Sequence, residues 1–120
     1  MTQEHKDLLF KDLCSRLPYG VKVKFNYIDT SPAVLKGIDN DLIICEIAVG
    51  ELEDVKPYLF PFSSMTEEQK KEWRSLMRCD LYGLLYPTIK SFDYLYKNHI
   101  DIRGLISMGL AHDATGLNIY

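Results

Sequence analysis

Groups that could hold a metal or move a proton are few: the chain has three histidines, His5, His99 and His112, and three cysteines, Cys14, Cys45 and Cys79. His99 with Asp101, and His112 with Asp113, have the residue types of a metal-dependent hydrolase, because imidazole and carboxylate together suit borderline divalent cations. Nothing in their spacing fixes a mutual geometry. The plain alternative places His99 just past a helix end, where a cation meets the negative end of the dipole, and His112 on the surface. No metal or cofactor is expected, and the hydrolase is the third of three readings. No cysteine has a second one nearby, so a locally built zinc knuckle or redox pair is excluded. An odd count without an export signal points to reduced thiols. Cys14 and Cys45 lie in apolar stretches, where cysteine behaves as a small buried hydrophobe. Cys79, between Arg78 and Asp80, comes nearest to a reactive setting.

Nucleotide chemistry has no loop to work with, since neither the Walker spacing nor G-x-G-x-x-G occurs. Ser63 and Ser64 lack the glycines of a nucleophile elbow and are explained by helix capping. No catalytic residue is assigned. Binding has more to offer. Lys70, Arg74 and Arg78 recur every four residues on an expected helix and form a basic strip, with Lys71 beside it. Together with Lys22 and Lys24 on the outer face of a first strand, and with the rings of Tyr58, Phe60 and Phe62, that strip would follow a phosphate backbone while aromatics stack on bases. The plain alternative is a solvated helix face paired with Glu67, Glu68 and Glu72. Arg103 either braces the turn around Gly104 with Asp101 or joins Tyr82, Tyr86, Tyr94 and Tyr96 in an interface, where arginine and tyrosine are enriched. The partner-binding candidates are therefore Lys70, Arg74, Arg78, Arg103 and Tyr58.

The elements that must position these residues follow from periodicity. Thr2 is a suitable N-cap, and Leu9, Leu13 and Leu17 recur every four residues up to Pro18 and Gly20, which end the helix. From Val21 the period becomes two, with Val23, Phe25 and Tyr27 on one face and Lys22, Lys24 and Asn26 on the other. After a turn at Asp29-Thr30-Ser31-Pro32, the runs 33–38 and 42–48 read as a hairpin around Asp39-Asn40-Asp41. Its second arm is apolar almost without alternation, so it is expected to be central and covered on both faces, one of them by a helix. A short edge strand over 51–56 is expected to stop at Pro57, and Pro57 to Phe62 to lie extended across the sheet as an aromatic strap. Thr66-Glu67-Glu68-Gln69 is a capping box opening a helix that carries Trp73, Leu76, Met77 and Leu81 and buries Trp73. Thr88 or Ser91 caps a further helix that ends near Asn98. Asp101 starts a single turn, and 115–120 is loose or lightly docked.

Composition sets the outer bounds. With 120 residues, 47% hydrophobic and 26% charged, the chain is sized for one domain over 1–120 with a real core. The formal charge of −3 argues against coating nucleic acid or an anionic membrane by bulk charge. The polar start at Met1 to Asp7 lacks the pattern of a secretory signal, so a cytoplasmic protein is expected. Apolar runs are broken at Gly37, Asp39, Asp41, Glu46 and Pro57, so no membrane span is expected.

At Lys56-Pro57-Tyr58-Leu59, Ser63-Ser64-Met65-Thr66-Glu67-Glu68, His99 with Asp101-Ile102-Arg103-Gly104-Leu105-Ile106, and Gly109-Leu110-Ala111, the chain resembles a family of small uncharacterised proteins of anaerobic gut bacteria. Members are often encoded among prophage-like or mobile-element genes. The likeness runs from the Arg16 to Val21 junction to the last motif, and departs at Ile100 and Ile102, where aromatic side chains are expected, and after Asp113. It implies a cytosolic bacterial protein of phage origin and brings no activity with it.

These readings combine into one α+β domain: an N-terminal helix, a small antiparallel sheet of three or four strands that would curl into a partly open SH3-like barrel, and two or three C-terminal helices. The leading function is a non-enzymatic interaction or accessory module with a protein partner. The second is a nucleic-acid-binding accessory protein using the basic strip, and no membrane partner is expected.

Overall fold

Thr2 opens the chain's first helix as its side chain predicts, accepting the His5 N–H at 3.1 Å, and α1 runs Gln3–Arg16. In the computed structural model, which describes residues 1–28, 31–40 and 42–120, α1 lays Leu9 and Leu13 against a sheet whose inner face carries Val23, Phe25, Leu35, Ile43, Val55 and Leu59. Leu105, Leu110 and Ala111 from the C-terminal segment close the same core.

The sheet is larger than the expected three or four antiparallel strands. Six strands pair in the order β4 (Val49–Glu51), β3 (Leu42–Cys45), β2 (Ala33–Asp39), β1 (Lys22–Phe25), β5 (Val55–Leu59) and, at the far edge, a late strand His112–Asp113. That last pairing is parallel, Tyr58 opposite His112 and Leu59 opposite Asp113, so the sheet is mixed. A two-residue strand carries no periodicity to read, and it joins β5 only because the chain returns there after its last turns. The expected SH3-like antiparallel sheet is thereby overturned. So is the placing of the other helices, because α2 (Glu67–Ser75) and a later helix Ile89–Lys97 are separated by a second, two-stranded sheet.

Pro57 does not end a strand. Asn26 N–H donates to the Asp54 carbonyl at 2.7 Å, just beyond the Phe25 and Val55 pair. Antiparallel alternation then makes Lys24 and Lys56 the hydrogen-bonded pair and turns the Pro57 nitrogen away from β1, where its missing N–H costs no bond. Tyr58 and Leu59 are consequently buried within the sheet, Phe60 is half-buried and Phe62 exposed, so the aromatic stretch is a strand and its exit, not a strap laid across the face. The hairpin of β2 and β3 forms as expected, although Asp41 of its turn, like Asp29 and Thr30 of the preceding turn, lies outside the described residues. β3 is covered on one face only, since Leu42 is exposed and Ile44 half-buried. Gly50 in β4 is required by packing, because a Cβ there would stand 2.7 Å from the Phe25 ring.

Thr66 and Gln69 make the capping box of α2: Gln69 N–H donates to the Thr66 hydroxyl at 3.1 Å, and Thr66 N–H to the Gln69 carboxamide oxygen at 2.9 Å. The helix stops at Ser75, short of the expected Leu81, and Trp73 is half-buried against Phe62 with ring centroids 5.7 Å apart. β6 (Arg78–Cys79) and β7 (Leu85–Tyr86) follow as the small second sheet, then α3 (Ile89–Lys97), capped by Thr88 with Ser91, and finally β8, the late edge strand. Met65, Leu95 and Ile100 form a second, smaller core with Phe60 and Trp73 around it.

The molecule measures 49 × 30 × 24 Å, with a Cα radius of gyration of 15.2 Å. A spherical domain of this length would have about 13.6 Å. The long axis is consistent with the exposure of the segment between α2 and α3.

Candidate functional site

That segment is a hairpin ordered by its backbone and left bare by its side chains. Arg78 pairs with Tyr86 and Cys79 with Leu85. Asp80 N–H donates to the Leu84 carbonyl at 2.9 Å, and Gly83, with φ of +79°, closes the three-residue loop and donates to the Asp80 carbonyl at 3.2 Å. One Asp80 carboxylate oxygen accepts the N–H groups of Tyr82 and Leu84, at 2.8 and 2.9 Å. The base is tied down by the Thr88 hydroxyl, which donates to the Leu76 carbonyl at 2.6 Å. On this frame Leu81 is 99% and Tyr82 89% exposed, Ile89 at the foot is 82% exposed, and Leu84, Leu85 and Tyr86 are exposed as well. A monomer seldom shows water so many contiguous large apolar side chains, and such patches mark contact sites. Asp80 with Gly83 three residues on was the available sequence signal for a turn. The helical spacing of Trp73, Leu76, Met77 and Leu81 pointed the other way.

The candidates read from sequence do not come together. Lys70 and Arg74 lie on α2, with Lys70 Nζ 3.4 Å from the Glu67 carboxylate, while Arg78 belongs to β6 and is exposed there. The strip is therefore broken between helix and hairpin. Tyr58 is buried, its ring 5.0 Å from that of His112. Lys22 donates through Nζ to the Ile119 carbonyl, and its N–H to the Tyr120 hydroxyl at 2.8 Å, so it is engaged by the C-terminal segment. That segment is docked, not loose, because Tyr120 also donates to the Tyr58 carbonyl at 2.7 Å.

Arg103 is structural. Its guanidinium donates to Asp12 at 2.8 Å and to the Tyr96 hydroxyl at 3.1 Å, while the other Asp12 oxygen accepts Arg16 Nε at 2.8 Å. Asp12 and Arg16 are fully buried, and Arg16 reaches on to the Ile100 carbonyl at 2.6 Å. Asp101 does not pair with Arg103; it accepts the N–H groups of Leu105 and Ile106 at 2.8 and 2.9 Å and fixes the turn that begins there.

Among the described residues no three His, Cys, Asp or Glu side chains gather as a metal site would need. Cys14 and Cys79 are exposed and Cys45 is buried, so the expected burial holds for Cys45 and not for Cys14. Burial lowers the pKa of His112, with Lys56 and Lys24 adding to the effect, and lowers that of His99 to about 4, with Arg16 and Lys22 adding. Both imidazoles are neutral at physiological pH, so the dipole-bound cation expected at His99 does not form. His99 instead takes the left-handed position that closes α3, with φ of +59°.

No described helix is long and apolar enough to cross a membrane. No known protein family, curated protein or solved structure matches the chain.

Proposed function

We propose that the chain is a non-enzymatic interaction module that inserts a preformed apolar hairpin into a groove on a protein partner. The observation that carries this reading is the near-complete exposure of Leu81 and Tyr82 on a loop held by hydrogen bonds from the N–H groups of Asp80, Tyr82, Gly83 and Leu84. A loop already held in shape loses little conformational freedom on docking, so more of its contact energy survives as affinity. Tyrosine, the residue type of Tyr82 and Tyr86, also gives a large contact area at little entropic cost. A protein groove is favoured over a lipid surface by the formal charge of −3, which opposes attraction to anionic headgroups. A cytosolic setting is supported by the exposed free thiols Cys14 and Cys79, which suit a reducing compartment. A phage origin, part of the same proposal, rests on the resemblance given above.

The test places a photocrosslinking phenylalanine analogue at position 82, and in a second version at Glu68, in the full chain incubated with native-host lysate. A protein adduct at position 82 that is missing at position 68, and is abolished by Leu81→Ser with Leu84→Ser, is the expected result. Equal adducts at both positions, or adducts indifferent to the two serines, would overturn it. Adducts lost on nuclease treatment or on Arg74→Glu would transfer the assignment to the nucleic-acid reading.

A further inference from the structure

A cleft of about 450 Å³ opens where the end of α3, the start of α2 and the C-terminal segment meet, and the hairpin has no part in it. Phe60, His99 and Tyr120 give it aromatic walls; His99 and Tyr120 stack at 3.7 Å with only 14° between their planes. Its polar side chains include Ser64, Gln69, Asn98 and Thr115, and Lys97 is its one lysine or arginine. Lys97 forms no ion pair among the described residues. The Gln69 oxygen is committed to the Thr66 N–H in the capping box, so the NH2 end of that carboxamide is the end left for a ligand. Two comparable clefts elsewhere each include acidic side chains, Asp7, Glu51 and Glu53 in one and Asp93 in the other; this lining has no Asp or Glu side chain.

We propose that this cleft is a binding site for a small anion carried on a flat apolar body, such as an aromatic carboxylate or phosphate, with Lys97 and the Gln69 amide on the charged end and the aromatic walls against the body. Three observations support the assignment beyond the shape. Cationic Lys22, which forms no ion pair among the described residues, and Arg16, which is paired with Asp12, both help keep the His99 imidazole unprotonated, so the unbalanced positive charge beside His99 comes from Lys22. The Nδ1 atom of His99 is buried and has no hydrogen-bond partner. A histidine also occupies the left-handed position that glycine would fill without strain, a choice that a side chain needed for its ring would justify.

The capping box provides a clean test, because glutamate serves at its third helical position as well as glutamine does. Gln69→Glu therefore keeps α2 intact while placing a carboxylate in the cleft. Amide NMR spectra of the full chain are to be titrated at neutral pH with benzoate, phenyl phosphate and, as the opposite charge, benzylammonium. The expected result is saturable shifts at Asn98 and Gly116 with both anions and none with benzylammonium, about tenfold weaker in Lys97→Gln, as loss of one charge-assisted hydrogen bond predicts, and abolished in Gln69→Glu. Benzylammonium binding as well as the anions, no saturable shift, or anion binding unchanged in Gln69→Glu would each overturn the proposal.

Discussion

Beneath α1, two charged side chains are shut away from water and a third is mostly covered, whereas between α2 and α3 a run of leucines and tyrosines is held out in it. The difference lies in how each region meets its hydrogen-bonding needs. Asp12 spends both oxygens on two arginines, and Arg16 spends Nε and Nη2 inside the fold, so the charges survive burial by pairing with one another and with the Ile100 carbonyl, with Arg16 Nη1 the one guanidinium nitrogen of that residue left buried and unpartnered. Tyr96 lies against both guanidiniums, 5.2 and 5.8 Å from its ring centre, and adds a cation–π contribution to each. In the hairpin the turn is held locally by the Asp80 carboxylate, and the base by the Thr88 hydroxyl twelve residues from its Leu76 partner. The buried set joins α1 to residues nearly ninety positions later, whereas the side chains at the hairpin tip pack on nothing else in the fold.

The comparison is easiest to break at Asp12. Asp12→Ala leaves the buried Arg16 guanidinium and the mostly covered Arg103 short of their carboxylate and is expected to destabilise the protein by about 3–5 kcal/mol, read as a fall in the urea midpoint. A loss below about 1 kcal/mol, the range of surface pairs, would mean that water screens the set and that it holds nothing together.

A second effect is linked to acid. The folded His99 has its pKa lowered to about 4 by burial first and by Arg16 and Lys22 next, while the unfolded residue keeps the ordinary value of 6.5. Between those values the unfolded chain takes up a proton that the folded chain refuses, so stability falls as pH drops from 6.5 towards 4 and is unaffected by His99 above that window. His99→Asn, which tolerates the left-handed backbone and does not titrate, is expected to flatten the dependence of the urea midpoint on pH across it. An identical slope in both proteins would show that His99 is not what the acid reaches.

The smallest effect is expected at the hairpin tip. Leu81→Ser and Tyr82→Ser should each change stability by no more than about 0.5 kcal/mol, because neither residue is buried in the folded state. A larger loss in thermal or urea unfolding would mean that these side chains pack on the body, and would remove the contrast with Asp12.

Local signals were legible because the chemistry they describe is local. Thr2, Thr66 and Thr88 each stand where an N-cap was expected, since a hydroxyl three residues before a free N–H needs no tertiary partner to act. The core face of β1 was legible for a similar reason, as Val23 and Phe25 must share one side of any strand, but Tyr27, expected on that face, lies past the strand's end at Phe25 and is exposed. The candidate site was legible only in pieces. Arg74 and Arg78 are four residues apart, but a helix end falls between them. Tyr58 and Arg103 were singled out for residue types common in interfaces, and the fold gave one to the core and the other to Asp12.

Sequence by itself determined where helices begin, which face of β1 is apolar and which thiols have no near neighbour, because each depends on residues within a turn or two of one another. Tertiary structure decided the rest. Asp12 and Arg16 at i and i+4 read like any solvated helix pair until Arg103 and the Ile100 carbonyl close over them. Leu81 reads like core until no surface arrives to cover it. Burial is a property of what comes back from far along the chain, and spacing within a short segment carries no record of it.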